Sequence, residues 1–186
     1  SRRGGGLEMP RVRSRRLGAP AAGGGADGTG PVTALYEDHA DHTTAGTSEE
    51  TLDSYSLPGG TLAADGDRVR ISGRGIAASN GNNKTLLVKF GATTVATMLV
   101  ASSGDGWDFS VVIRRSGAAT QVASGSITRA SVSAFSTVGG QFTETTPAET
   151  LSGALTIAVA ATTPSSAGDF TLKSWHIDKI AAEAVV

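Results

Sequence analysis

The fold class predicted for this chain is all-β, a two-sheet antiparallel sandwich with a jelly roll as the leading topology, carrying an extended N-terminal arm. Three observations predict it. Apolar residues alternate with polar ones in short runs, the pattern of half-buried strands. Turn residues punctuate those runs at hairpin spacing. Charged residues make up only 18% and aromatics 5% of 186 residues, beside 25 glycines. A core made of aliphatics and alanine, with many serines and threonines, suits strands better than helices.

The first 31 residues, SRRGGGLEMPRVRSRRLGAPAAGGGADGTGP, differ in texture. Gly4–Gly6 and Gly23–Gly25 oppose helix formation, and Pro10, Pro20 and Pro31 favour extended chain. The domain division is therefore an arm, 1–31, and a β-sandwich, 32–186. Residues 1–16 hold six arginines against Glu8, a balance of +5, while the rest of the chain carries −6. A basic arm on an acidic body points to a partner other than the body itself.

The predicted strands lie near 32–38, 49–57, 67–78, 84–90, 93–101, 106–115, 118–128, 131–145, 150–162 and 169–180. Trp107, Phe109, Val111 and Ile113 share one face of their strand. Leu86, Val88 and Phe90 share another, as do Leu151, Leu155, Ile157 and Val159. Turns are expected at Leu57-Pro58-Gly59-Gly60, Asp65-Gly66-Asp67, Asn80-Gly81-Asn82-Asn83, Gly104-Asp105-Gly106, Gly139-Gly140 and Ala167-Gly168-Asp169. In the last strand Trp175 and Ile177 fall opposite Phe170 and Leu172. Leu87 and Val112 also oppose their main stripes. Either the strands twist between sheets or a subunit interface covers a second face.

The chain has no cysteine, which excludes disulfides and thiolate metal sites. No run of eighteen apolar residues is present, and the N-terminal stretch has no apolar core of a secretory signal. Glu37-Asp38-His39-Ala40-Asp41-His42 is the best metal candidate, with His176 as the remaining histidine. His39 and His42 would diverge in a strand, so a solvated acidic linker is the favoured reading and no cofactor is expected. Gly73-Arg74-Gly75-Ile76-Ala77-Ala78 matches G-x-G-x-x-G/A. A turn follows it where a dinucleotide site needs a helix, so close packing or a bend in a strand is the expected role. Asn83-Lys84-Thr85 is a sequon short enough to arise by chance. No nucleophile elbow or phosphate loop is present, and no carboxylate pair stands out for acid–base work.

The arm offers Arg2, Arg3, Arg11, Arg13, Arg15 and Arg16, with Leu7, Met9, Val12 and Leu17 as apolar anchors. Arginine suits phosphates and carboxylates alike. The acidic body and the absence of interleaved aromatics favour docking on protein, so nucleic acid and membrane are not expected partners.

The stretch from Glu49 to Ile180 resembles jelly-roll-like virion proteins of tailed bacteriophages and prophages, found as capsid decoration proteins, head fibres and tail-fibre modules. Four pieces carry the resemblance. They are Thr51 to Leu62 (TLDSYSLPGGTL) with Asp65 to Ile71 (DGDRVRI), Asn83 to Thr93 (NKTLLVKFGAT), Trp107 to Gly117 (WDFSVVIRRSG), and Ala154 to Val159 (ALTIAV). All are structural motifs. The resemblance implies a homotrimer without catalytic residues, most simply a capsid decoration protein on the particle exterior. The arm would grip the major capsid protein or another virion protein. The alternative it allows is a head- or tail-fibre module binding host-surface glycans or a receptor, with Trp107 or Trp175 stacking on sugar unless they belong to the core.

Overall fold

A computed structural model describes residues 30–101, 104–131, 136–162 and 167–182. The expectations placed on Arg2, Arg3, Leu7, Met9, Arg11, Val12, Arg13, Arg15, Arg16 and Leu17 lie outside these residues. Of the arm, Gly30 and Pro31 are described, and Ala181 N–H donates to the Pro31 carbonyl (3.1 Å).

Eleven strands and no helix occur among the described residues. They are β1 Val32–Asp38, β2 His42–Thr43, β3 Glu49–Leu57, β4 Arg68–Ala77, β5 Asn83–Phe90, β6 Thr93–Ala101, β7 Asp105–Gly117, β8 Thr120–Ser131, β9 Ser136–Thr145, β10 Leu155–Thr162 and β11 Phe170–Ile180. All pair antiparallel in two sheets. The larger runs β1-β11-β4-β7-β8-β9, with β2 added on β11; the smaller runs β3-β10-β5-β6. The sandwich is thus observed, and the chain crosses repeatedly between its layers.

The alternating runs fill the space between the sheets. Trp107, Phe109, Val111 and Ile113 are buried, as are Leu86, Val88, Phe90, Ile157 and Val159. The glycine pair Gly139-Gly140 is not a turn. Both residues lie inside β9, opposite Arg129 and Thr128, beside a register shift between Arg129 and Ala130. Glycine there marks an irregularity within a strand. The strand expected from 131 begins at Ser136, because Ser131 ends β8 opposite it. The strand expected from 150 begins at Leu155, although Leu151 is still buried.

The second-face reading of Trp175 and Ile177 is overturned. A register shift between Leu172 and Ser174 leaves Lys173 as an extra residue in β11. One extra residue reverses the alternation. Phe170, Leu172, Trp175 and Ile177 therefore all enter the same core, at 1% exposure or less.

Gly73 and Gly75 sit in β4 opposite Phe109 and Trp107 of β7. A Cβ on Gly73 would come within 2.8 Å of the Phe109 ring, and one on Gly75 would meet Trp107 and the Thr171 carbonyl. The glycine motif is a packing device within a strand, as anticipated.

Polar groups fasten the loops. Lys84 is fully buried and donates to the carbonyls of Ala78 (3.0 Å) and Asn82 (3.2 Å), closing the β4–β5 connection. Asp67 follows Gly66, whose φ of 94° only glycine adopts readily. The Asp67 carboxylate accepts backbone N–H groups from Ala63 (2.9 Å), Ala64 (3.0 Å) and Ala182 (2.8 Å). Burial alone would raise its pKa. The N–H groups of Ala64 and Ala182, the Lys179 ammonium and the Ala63 N–H outweigh burial and hold it below the usual carboxylate range.

The folded-state pKa of Asp67 is depressed, so its stabilisation is present above the unfolded value near 3.9 and is lost as pH falls through the folded value. Asp67→Asn is expected to cost about 3 kcal/mol at pH 7, because buried N–H groups lose acceptors. Urea titrations should show the gap to wild type narrowing below about pH 4. A gap independent of pH would refute the role of the charge.

Candidate functional site

Four elements, β1, β2, β3 and β11, bring chemistry-bearing side chains together at the β1–β3 end of the sandwich. In β1 a register shift between Ala34 and Tyr36 turns Tyr36 and Asp38 toward the interior. In β3 the partners of Val159 and Ala160 are Asp53 and Thr51, so Leu52 is an extra residue. Asp53 then lies in phase with Tyr55 and Leu57 and faces the opposite sheet. The extra Lys173 of β11 sets the phase of Trp175. Three irregularities, one in each of β1, β3 and β11, thus aim Tyr36, Asp53 and Trp175 at one another, as β-bulges commonly do near special sites.

Asp53 Oδ2 accepts from Tyr36 OH (2.8 Å) and from Trp175 Nε1 (2.8 Å), and His42 Nε2 lies 3.8 Å away. Asp38 accepts from Ala40 N–H (2.6 Å), lies 3.1 Å from His42 Nε2, and takes a longer bond from Tyr36 OH (3.4 Å). The Ala40 N–H, and then His42, hold the Asp38 pKa below the carboxylate range. Burial, reinforced by the hydrogen bond and charge of Asp53, raises the pKa of the Tyr36 phenol. The Tyr36 ring packs 5.2 Å from Tyr55 and 5.2 Å, edge-on, from Trp175.

The 37–42 stretch therefore divides. Glu37 and His39 pair with each other in solvent (2.8 Å), and Asp41 pairs with Lys173. Asp38 and His42 turn inward and meet Asp53, so the stretch is more than a solvated linker. One ligand atom from each of Asp38, His42 and Asp53 lies within 4.8 Å of the others, a possible metal geometry. The donor chemistry argues against a resident ion. The Asp53 oxygen that faces the cluster already accepts two hydrogen bonds, and His42 Nε2 is hydrogen-bonded to Asp38 and only near Asp53. The arrangement links β1, β2 and β11 to β3 of the other sheet. Sequence reasoning named Asp38 and His42 but missed Asp53. The available signal was a carboxylate in phase with Tyr55 and Leu57.

His176 does not join this cluster. With His39, Ser72, Arg74, Asp108 and Ser174 it borders a depression of about 370 Å³ on the outer face of the larger sheet. A second depression of about 440 Å³ adjoins it, bordered by Arg74, Ile76, Asp108 and Lys173. Trp107 and Trp175 are 3% and 1% exposed. Neither presents a ring face to a sugar, so the stacking role considered for them is overturned.

No known family model and no curated protein sequence matches this chain. Among solved structures it is similar to the CBM2 module of the evolved Dit of Lactobacillus casei BL23 phage J-1. That likeness has 8% identity and a TM-score of 0.36, covering 71% of this chain and 70% of that one.

Proposed function

We propose that this chain is a non-enzymatic structural protein of a tailed-bacteriophage particle, a capsid decoration or stabilising protein anchored by residues 1–31. The single observation that carries the reading is the strand order. The series β1-β11-β4-β7 faces β3-β10-β5-β6, and β8 and β9 extend the first sheet as a hairpin. In this reading the two interleaved four-stranded sheets form a jelly roll. The strands concerned are the ones that hold the residues resembling jelly-roll virion proteins.

The cluster at Asp38, His42 and Asp53 supports the same reading, because its groups are engaged with one another in holding the sheets together. In this proposal the protein is a homotrimer on the capsid exterior, and the arm's arginines pair with carboxylates of the major capsid protein. Repetition of such contacts over a symmetric shell offsets the entropy of ordering each arm. The alternative of a fibre module binding host glycans loses the two tryptophans it relied on.

The test uses particles lacking this protein, incubated with the full chain or with a chain from which residues 1–31 have been removed. The full chain is expected to bind in hundreds of copies per particle, counted by quantitative mass spectrometry, and the truncated chain to be lost on washing. Equal retention of both would overturn anchoring by the arm. A handful of copies would move the protein to a tail or fibre.

A further inference from the structure

The outer face of the larger sheet carries an arrangement that the fold does not explain. Arg68 of β4 and Arg114 of β7 are direct cross-strand partners. Like charges in that position destabilise a sheet. The other two arginines of β4 are each bonded to β11, Arg70 to Asp178 (2.7 Å) and Arg74 to Ser174 (3.2 Å). Among the described residues the Arg68 and Arg114 side chains have no such partner, and Arg68 Nε is buried without an acceptor. Val112, Val122 and Ser124 complete a depression of about 310 Å³ around the two guanidinium groups. Of the carboxylates on neighbouring strands, Asp178 is taken by Arg70, and exposed Glu144 of β9 lies opposite Ser124.

We infer that Arg68 and Arg114 form a docking point for the carboxylate of an acidic side chain on a partner protein. Guanidinium forks bind carboxylates through two parallel bonds. A carboxylate between them would relieve the repulsion and accept from the accessible N–H groups of both guanidinium forks. The two valines give an apolar flank for the methylene stem of Glu or Asp, which a hydrated inorganic anion would not use. Among the described residues no aromatic ring borders the depression, so a sugar has no platform from them there. The inference does not rest on the virion reading and is tested on purified protein alone.

The probe is N-acetyl-tetraglutamate amide, followed through the arginine Nε–H resonances in NMR spectra. Addition is expected to shift the Arg68 and Arg114 signals at a concentration at least about tenfold below that of acetate giving the same shift. Arg114→Met should abolish the response and raise the melting temperature by roughly 1–3 °C, since a like-charge pair is removed. Arg74→Met, on the same face, should retain the response. An equal response to acetate or sulfate would reduce the site to a general anion site and overturn the assignment, as would a preference for trigalacturonate. A melting temperature lowered by Arg114→Met would show a structural role instead. A wild-type oligomer dissolved by the same change would make the occupant a second copy of this chain.

Discussion

Gly75→Ala is expected to destabilise the protein by about 3 kcal/mol, lowering the melting temperature by roughly 6–12 °C. The added Cβ would lie 2.7 Å from Trp107 Cε2 and closer still to Trp107 Cζ2 and the Thr171 carbonyl oxygen. The oxygen belongs to the backbone of β11, two residues before its extra residue, so it cannot move without breaking the β4–β11 register. Replacing Trp107 would therefore rescue Gly75→Ala only in part. Gly73→Ala makes a contrasting case. Its Cβ would meet the Phe109 ring at 2.8 Å and Trp175 Cβ at 2.9 Å, both side-chain atoms. Phe109→Leu should then recover part of the loss, a non-additivity that a double-mutant cycle measures. Gly81→Ala is the control, since among the described residues nothing lies within 4 Å of its Cβ position; its effect should stay within about 0.5 kcal/mol. Equal tolerance at positions 75 and 81 would remove the packing explanation.

That pair of glycines shows how far the sequence could be read. A dinucleotide fingerprint at 73–78 was rejected on local grounds, because no helix follows it. The rings that fill the space over the glycines belong to β7, more than thirty residues later, and the pairing that places them there is non-local. Alternation within one strand was legible wherever the strand was regular: Trp107 to Ile113 and Leu86 to Phe90 face the core throughout. It failed where a strand carries an extra residue. In β11 the apolar stripe switches phase at Lys173, and a two-residue period then assigns Trp175 to the wrong side.

The candidate site was half legible for the same reason. Asp38 and His42 are close in sequence, and their proximity invited attention. Asp53 reaches them through irregularities in β1 and β3, whose positions depend on pairing with β11 and β10. The two-residue β2, which holds His42 in place against Leu172, is too short to leave a periodic signal.

Asp53→Ala should cost about 3 kcal/mol, because it strips the acceptor from Tyr36 OH and from the buried Trp175 Nε1. Tyr36→Phe removes one donor and should cost about 1 kcal/mol. If the hydrogen bond acts as a link between sheets, the double variant should fall short of the sum by about 1 kcal/mol. Alkaline pH supplies an independent measurement. The folded-state pKa of Tyr36 is raised, so its stabilisation is complete below the unfolded value near 10 and declines as pH rises above it. Stability of wild type should therefore fall more steeply above about pH 10 than that of Tyr36→Phe. The competing idea, a divalent ion held by Asp38, His42 and Asp53, predicts something different. An ion bound only to the folded state raises stability in proportion to the logarithm of its concentration. Millimolar zinc, manganese or calcium should leave the wild-type melting temperature unchanged if the carboxylates serve the two sheets. A rise that disappears in Asp53→Ala would make the cluster a metal centre and transfer its purpose from structure to binding.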